Sequence, residues 1–344
     1  MNRQSEEQHR QRVRGCLLGG AIGDALGAGI EFLTIARIRS QFGPSGVTGH
    51  TGAFGHTAPI TDDTQMTLFT AEGLICAAVA GEPGGIAHVY RAYLRWLSTQ
   101  RAGAAVPNTD GWLLELPQIH SRRAPGNTCL SALASGTAGS TEHRINDSKG
   151  CGGVMRAAPC GLVGGDAFRL GCDSAALTHG HPSGWLAAGG LALMIQVLAA
   201  GHTLEEAADA ALDRISSHPE GRECAGALRG AVREADSAEA CPEAVESLGG
   251  GWVAEEALAI AVFCALKAQD FAHGVLLAVN HSGDSDSTGA ITGNILGTLL
   301  GFEALPEALL APLELRAEID QIARDLYAIA ASASTDDGLR DRYL

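Results

Sequence analysis

Apolar residues recur every three or four positions along most of the chain, which is the spacing of one buried helix face. The pattern predicts helices over 11–28, 62–80, 86–98, 129–134, 173–177, 185–200, 204–216, 224–235, 254–268, 271–279, 289–300 and 309–331. No long stretch alternates apolar and polar residues as a strand does, and no repeat or Pro/Ser-rich linker divides the chain. We therefore expect one compact all-α domain, a multi-helix bundle over residues 12–332, with frayed termini at 1–11 and 333–344.

Composition favours a single large core. Of the 344 residues, 46% are hydrophobic but only 5% are aromatic, so Ala, Leu, Val and Ile should fill the interior. The most apolar stretch, 184–201, is long enough to raise the question of a membrane span. It contains Gln196 and several Gly and Ala residues, and a charged segment follows it closely. We interpret it as a buried core helix and expect no membrane association.

Charge and cysteine content narrow the class of protein. The net charge of −15 argues against nucleic acid as a partner, because nucleic-acid-binding proteins usually carry a basic surface. The nine cysteines are dispersed and include no Cys-x-x-Cys pair, which favours reduced thiols over a disulfide framework. The polar N-terminal segment lacks the apolar core of a signal peptide. We expect a cytoplasmic monomer.

Two acidic clusters stand far apart in the sequence, each where a turn-like stretch enters a predicted helix. They are Thr-Asp-Asp-Thr at 61–64 and Asp-Ser-Asp-Ser-Thr at 284–288. Carboxylates with neighbouring hydroxyls are the oxygen ligands that Mg²⁺ or Mn²⁺ prefers, and an irregular turn would let Asp284 and Asp286 converge. Two ions held there could grip adjacent substrate hydroxyls and orient a water. Acidic residues also favour helix N-termini for electrostatic reasons, so the residues alone leave both interpretations open.

Three other features are candidates for ligand binding. The loop over 146–156 is dense in glycine, and its backbone N–H groups could hold a diphosphate, although a tight turn explains it equally well. Within Thr-His-Gly-His at 178–181, we expect a loop histidine that bonds a ligand or the backbone, in preference to a metal pair. Glu31, between two apolar residues at a helix end, would ordinarily be solvated.

Five segments, in this order, carry a resemblance to a known family. They are Gly-Asp-Ala-Leu-Gly with Glu31 soon after, Thr-Asp-Asp-Thr-Gln-Met, Lys-Gly-Cys-Gly-Gly-Val-Met-Arg, Thr-His-Gly-His, and His-Ser-Gly-Asp-Ser-Asp-Ser-Thr-Gly. Together they resemble the ADP-ribosylglycohydrolase superfamily over about residues 12–305. That superfamily includes dinitrogenase reductase-activating glycohydrolases and ADP-ribosyl-arginine hydrolases.

The resemblance implies a compact orthogonal bundle of the ADP-ribosylglycohydrolase type with two divalent cations, Mg²⁺ or Mn²⁺. The metal ligands it implies are Thr61, Asp62, Asp63, Asp284, Asp286 and Ser287. The catalytic residues would be Glu31, Asp63 and Asp286. The substrate-binding residues would be Asn127, Ser148, Lys149, Gly150, Cys151, Gly152 and His179.

The activity implied is hydrolysis at the anomeric carbon of the ADP-linked ribose, with an ADP-ribosylated protein as substrate and free ADP-ribose as product. Arginine is the first choice of modified side chain. Some arginine-linked members carry an acidic residue where this chain has Ala124 and Pro125, so serine, O-acetyl and nucleic-acid linkages stay open as alternatives. A further alternative is a non-catalytic protein that binds ADP-ribose or a partner.

Overall fold

The computed structural model describes residues 3–82, 84–101, 110–331 and 337–344. These residues form sixteen α-helices and five short 3-10 helices, and within them there are isolated β-bridges but no β-strand. The α-helices are α1 (Arg3–Gly27), α2 (Ile35–Phe42), α3 (Asp62–Ala80), α4 (Ile86–Thr99), α5 (Asn127–Ala134), α6 (Ala167–Ala176), α7 (Pro182–Ala199), α8 (Leu204–Ser216), α9 (Arg222–Ser237), α10 (Pro242–Glu246), α11 (Ala254–Lys267), α12 (Phe271–Val279), α13 (Ser285–Leu300), α14 (Glu307–Leu310), α15 (Arg316–Ala331) and α16 (Asp337–Tyr343). The 3-10 helices are Leu113–Glu115, Pro117–Ile119, Cys151–Gly153, Ala158–Gly161 and Phe302–Ala304. The all-α prediction is confirmed.

Three helices, α3, α8 and α12, have the predicted bounds, because local capping chemistry marks their ends. In α3, Thr61 precedes the first turn and its hydroxyl oxygen accepts from the Asp63 backbone N–H. The helix ends at Gly81, whose φ of 71° is left-handed and ordinarily suits glycine. A Thr203–Glu206 capping box likewise opens α8. The start of α3 matters most, because it carries the first acidic cluster.

The N-terminal prediction is wrong, since the first helix begins at Arg3 and not at Gln11. Residues 3–11 are therefore helical and not frayed. They are tied to the rest of the protein by tertiary contacts: the ring of His9 bonds the Ala199 carbonyl oxygen at 3.0 Å and packs against Tyr327. Polar sequence at a terminus did not reveal these contacts.

The C-terminal prediction also needs correction. Within the segment 333–344, which was expected to be frayed, Asp337–Tyr343 forms α16. Tyr343 is fully buried, and its hydroxyl donates to the Asp325 carboxylate at 2.8 Å. Arg342 pairs with the same carboxylate at 2.7 Å. The buried side chain of Tyr343 therefore holds α16 against the protein, which the polar composition of this segment did not predict.

The predicted helix over 309–331 is interrupted. Helix α14 stops at Leu310 and α15 starts at Arg316. Between them, the backbone N–H of Glu314 donates to the Ala58 carbonyl oxygen at 3.0 Å, and Leu315 adopts a left-handed φ of 57°. This break lets the Glu314 backbone N–H bond the loop that leads into α3. In a continuous helix the same N–H would bond a carbonyl of the preceding turn.

Helices α1 and α13 pack in antiparallel fashion with their backbones in contact, and they form the most extensive helix pair of the described structure. Glycines at every fourth position of both helices make this possible. A methyl group at Gly23 would lie 1.9 Å from the Gly289 carbonyl oxygen, and one at Gly293 would lie 2.0 Å from that of Gly19. At the far end, a methyl group at Gly27 would lie 2.3 Å from the Asp286 backbone nitrogen. The C-terminal end of α1 is thereby fixed beside the second acidic cluster.

Helix α7 is apolar and long enough to cross a membrane, but 83% of it is buried inside the protein. Its residues Leu186, Leu191 and Ile195 are fully buried in the main core. This is the core helix that the sequence predicted. It packs against α6, α8, α11 and α13, and so supports the helix that carries the second acidic cluster.

Replacing Gly23 by Ala should destabilise the protein by roughly 2 kcal/mol or more, because the added methyl group has no room between two backbones. The matched control is Gly226→Ala in α9, where a methyl group would meet no described atom within 4 Å. The control should be neutral or raise the free energy of unfolding by up to about 1 kcal/mol, since Ala favours helix over Gly. Denaturant unfolding of both variants tests this, and equal stabilities would contradict the glycine contact.

Candidate active site

The N-termini of α3 and α13 bring the two acidic clusters to one cleft. The cleft holds about 210 Å³. Its lining residues are Glu31, Asp62, Asp63, Ala124, Gly126, Asn127, Thr128, Cys129, Gly150, Cys151, Gly152, Met155, His179, Trp252, Asp284, Asp286 and Ser287. Residues separated by more than 250 positions in sequence thus share one surface.

In the first cluster, Asp62 and Asp63 are both buried and face the cleft. One carboxylate oxygen of Asp62 accepts from the Gly126 backbone N–H at 3.2 Å. One oxygen of Asp63 faces the Thr61 hydroxyl at 3.4 Å, while its Oδ1 is buried with no hydrogen-bond partner in the described structure. An unsatisfied buried carboxylate oxygen is costly unless a ligand completes its coordination.

Asp24 of α1 holds the first cluster in place. Its carboxylate accepts from the backbone N–H of Thr61 at 2.9 Å and from that of Thr64 at 3.1 Å, and it also accepts from the Thr64 hydroxyl. Asp24 is fully buried and does not line the cleft. The sequence places Asp24 within the Gly-Asp-Ala-Leu-Gly segment, but no role was predicted for it. An acidic residue inside a helix of small residues was the available signal.

In the second cluster, Asp284 precedes α13 with a non-helical backbone (φ −76°, ψ 73°), and Asp286 lies in the first turn. Oxygens of Glu31, Asp284 and Asp286 all lie within 4.8 Å of one another. The irregular turn therefore lets the two aspartates converge, as the sequence predicted, and Glu31 joins them from the end of α1. The Asp284 carboxylate also accepts from the Cys151 thiol at 2.7 Å.

The carboxylates repel one another strongly. Burial, and then the neighbouring charge of Asp286, raise the pKa of Asp24 to about 7 and that of Glu31 to about 10. Burial and Asp286 likewise raise the pKa values of Asp62 and Asp63 well above their ordinary range. Oxygen-only donors under mutual repulsion suit a hard divalent cation.

A second wall of the cleft is built from the glycine-dense loop and His179. The loop forms a 3-10 helix over Cys151–Gly153, and the Cys151 backbone N–H donates to the Trp252 carbonyl oxygen at 3.1 Å. A methyl group at Gly152 would lie 3.1 Å from the His179 ring carbon Cε1, so glycine there leaves room for the imidazole. The structure thus places predicted substrate residues against each other.

Three of the predicted site residues do not line this cleft. Thr61 is fully buried behind Asp63. The Ser148 hydroxyl lies 3.1 Å from that of Thr128, at the back of the loop. The Lys149 ammonium pairs with Glu223 at 2.7 Å and with Glu255, so its charge is already matched by two carboxylates. The resemblance implied Lys149 as a substrate-binding residue, and its two carboxylate partners, more than seventy residues away in sequence, are visible only in the structure.

Sequence reasoning missed an aromatic pair at the mouth of the cleft. The rings of Phe32 and Trp252 stack with centroids 5.8 Å apart and an interplanar angle of 18°. They are 74% and 45% exposed, and Phe32 directly follows Glu31. Large exposed aromatic rings of this kind suggest a contact surface for a ligand. Only the position of Phe32 next to Glu31 could have suggested this in advance.

The fold and cleft define an all-α enzyme with a buried acidic site, and comparison with known proteins gives its family. A model of the ADP-ribosylglycohydrolase family matches residues 5–335. An uncharacterized protein of Archaeoglobus fulgidus is 30% identical over 93% of this chain and 97% of its own length. The ADP-ribosyl-(dinitrogen reductase) glycohydrolase of Rhodospirillum rubrum is 24% identical over 94% and 97%.

A solved structure described as an ADP-ribosylglycohydrolase-related protein complex has a TM-score of 0.67 and 26% identity to this chain. It covers 94% of this chain and 99% of its own. The chain belongs to the ADP-ribosylglycohydrolase family and is a glycohydrolase. The resemblance stated from five sequence segments is thereby confirmed.

In the presence of a chelator, the stability of the protein should fall as the pH rises from about 5 to 9. A carboxyl group whose pKa is raised on folding holds its proton longer in the folded chain, so its stabilising effect is complete below an ordinary pKa of about 4. That effect is lost through about pH 7 for Asp24 and up to about pH 10 for Glu31.

Thermal unfolding across this pH range, for the protein and for Asp286→Asn, measures the effect. The variant lacks the Asp286 charge that raises the pKa values of the neighbouring carboxyl groups, so its stability should fall less steeply as the pH rises. If thermal stability fell equally with pH in both proteins, repulsion between Asp286 and its neighbouring carboxylates would be contradicted.

Proposed function

We propose that the protein is a metal-dependent hydrolase that removes ADP-ribose from a modified protein side chain, most readily arginine. The observation that carries the proposal is the meeting of both acidic clusters, Glu31, the glycine-dense loop and His179 around one cleft. Four aspartates and a glutamate suit cations and ribose hydroxyls. The His179 imidazole and the glycine-dense loop, which meets this group where the Cys151 thiol donates to Asp284, suit phosphate oxygens.

Two divalent cations, Mg²⁺ or Mn²⁺, fit the residues present. The supporting observations are the unsatisfied Asp63 Oδ1, the raised carboxyl pKa values and a donor set made only of oxygen. The residues that would hold them from the cleft are Asp62, Asp63, Asp284, Asp286 and Ser287, while Thr61, buried behind Asp63, would orient that carboxylate. When bound, the cations would supply positive charge that polarises ribose hydroxyls and makes a nearby water more acidic.

In this proposal Glu31 handles the proton. It is the one carboxylate of the converging group that comes from neither helix N-terminus, and it sits beside the exposed mouth. With cations bound, Glu31 would be in its carboxylate form. Water attacks the anomeric carbon as the bond to the side-chain nitrogen breaks. Glu31 takes the proton of the water and passes it to the leaving nitrogen, so the carboxylate is regenerated as ADP-ribose and the unmodified side chain are released.

The transition state would resemble an oxocarbenium ion, because the bond to the leaving group breaks ahead of full attack by water. Asp63 and Asp286 lie on the cleft wall, where negative charge would stabilise the developing positive charge on the ribose. Their effect requires a dry, preorganised site, and both side chains are nearly fully buried.

Arginine is favoured as the modified side chain by the Phe32–Trp252 pair. A guanidinium group is planar and cationic, so it can lie against an exposed indole face next to several carboxylates. Serine and O-acetyl linkages offer no such group. They remain the second candidates because no acidic residue occupies positions 124 and 125.

The protein should release free ADP-ribose from a mono-ADP-ribosyl-arginine protein in Mg²⁺ or Mn²⁺ but not in a chelator. Asp286→Asn should lower the rate by more than about a hundredfold, because lost charge stabilisation of several kcal/mol corresponds to that factor. The matched control, Asp209→Asn on the exposed face of α8, should leave the rate unchanged. Chromatographic detection of ADP-ribose gives the rate.

Parallel assays with serine-linked and O-acetyl substrates separate the linkages. If only these substrates were cleaved, the proposed active site would stand, but arginine would be excluded as the modified side chain. Failure to cleave any substrate in either metal would overturn the hydrolase proposal and favour an ADP-ribose-binding protein.

Trp252→Ala should raise the KM for the arginine-linked substrate by roughly fivefold or more, since an exposed cation–π contact contributes about 1 kcal/mol. Trp252→Phe retains an aromatic face and serves as the control. Affinity for free ADP-ribose, measured by calorimetry, should change little in either variant. An equal loss for substrate and free ADP-ribose would place the aromatic pair against the nucleotide instead of the side chain.

A further inference from the structure

Arg156 is a buried cation that the mechanism above does not use. Its side chain is fully buried, and in the described structure it forms no ion pair with a carboxylate. The guanidinium lies 4.2 Å above the Tyr93 ring, and one of its terminal nitrogens faces only sulfur atoms. A buried charge without a countercharge is expensive, so a role for it is expected.

The shortest bond of Arg156 leads toward the cleft. Its Nη2 donates to the Thr178 hydroxyl at 2.7 Å, and that hydroxyl lies 2.8 Å from Nδ1 of His179. His179 in turn lines the cleft against the glycine-dense loop. The three side chains form a chain from the core to the ligand wall.

The direction of these bonds follows from the donors available. A guanidinium can only donate, so the Thr178 oxygen accepts from Arg156 and keeps one proton to give. The candidate acceptors are His179 Nδ1 at 2.8 Å and the Ala175 carbonyl oxygen at 3.5 Å. The Thr178 hydroxyl therefore donates to His179 Nδ1, because the contact with Ala175 at 3.5 Å is at the limit of a hydrogen bond.

We propose that Arg156 and Thr178 are positioning residues that hold His179 as a neutral imidazole with its proton on Nε2, so that it donates to an oxygen of the ADP-ribose diphosphate. This inference rests on the proposed function for the identity of the ligand. Two features support it independently of that function. A methyl group at Gly150 would lie 3.5 Å from His179 Nε2, which places this nitrogen at the loop.

The second supporting feature is electrostatic. Burial and the Arg156 charge lower the pKa of His179 to about 3, so the ring stays neutral at physiological pH. A neutral ring has one donor and one acceptor, and the acceptor is occupied by Thr178. His179 therefore serves as a fixed donor and not as a general base.

Nitrogen NMR of the full chain tests the tautomer directly and without any ligand. The ¹⁵N shifts of His179, assigned with a His179→Gln variant, should mark Nε2 as protonated and Nδ1 as unprotonated. The opposite pattern would overturn the proposal, whatever the protein hydrolyses.

Calorimetric binding of ADP-ribose tests the role of Thr178. Thr178→Val keeps the shape of the side chain but removes its hydroxyl, and it should weaken binding by about tenfold, the effect of one lost hydrogen bond to a charged group. Thr178→Ser restores the hydroxyl and should bind within about twofold of the parent protein. Thermal unfolding of each variant checks that it is folded.

A double-mutant cycle separates positioning from general structural damage. In a His179→Ala background, Thr178→Val should cost no further affinity, because Thr178 acts through the missing ring. An equal loss in both backgrounds, or no loss in either, would overturn the relay. If the parent protein itself does not bind ADP-ribose, the proposed function fails, while the NMR result still decides the tautomer.

Discussion

The backbone contact between α1 and α13 is the constraint on which the rest of the structure depends. Only hydrogen atoms separate the two helices where Gly23 faces Gly289, so neither can slide or rotate without a clash. The same helix pair carries Asp24 on one side and the second acidic cluster on the other. Because Asp24 also holds the backbone of Thr61 and Thr64, one helix contact sets the position of both clusters.

The acidic cleft opposes the stability of the fold that builds it. Several carboxylates are buried together, and their pKa values rise because of burial and mutual repulsion. The N-termini of α3 and α13 offset part of that cost with their partial positive charge. Backbone donors offset more, as at Asp62, where Gly126 donates. What remains unsatisfied, including Asp63 Oδ1, faces the cleft, where a ligand can complete it.

The sequence identified both acidic clusters, because each stands where a turn-like stretch enters a predicted helix, but the residues alone left metal binding and helix-end electrostatics both open. Long-range pairing was not accessible in the same way. The pairing of Lys149 with Glu223 and Glu255, and the bond from Glu314 to Ala58 in the break before α15, both join residues far apart in the sequence. Such contacts leave no local pattern, so the family resemblance supplied the assignment of Glu31 that spacing alone could not.

The walls of the cleft differ in charge in a chain of net charge −15, although they meet where the Cys151 thiol donates to Asp284. The carboxylate end gathers negative charge, which suits cations. A diphosphate would be repelled there, and the lysine beside the loop is already paired. The other wall is formed by the glycine-dense loop and the neutral ring of His179. Arg156 lies behind His179, fully buried and without a carboxylate partner among the described residues. Its positive charge therefore acts on the His179 ring from within the core. Under the proposed function, the buried charge of Arg156 would partly offset the repulsion between an anionic ligand and the carboxylates.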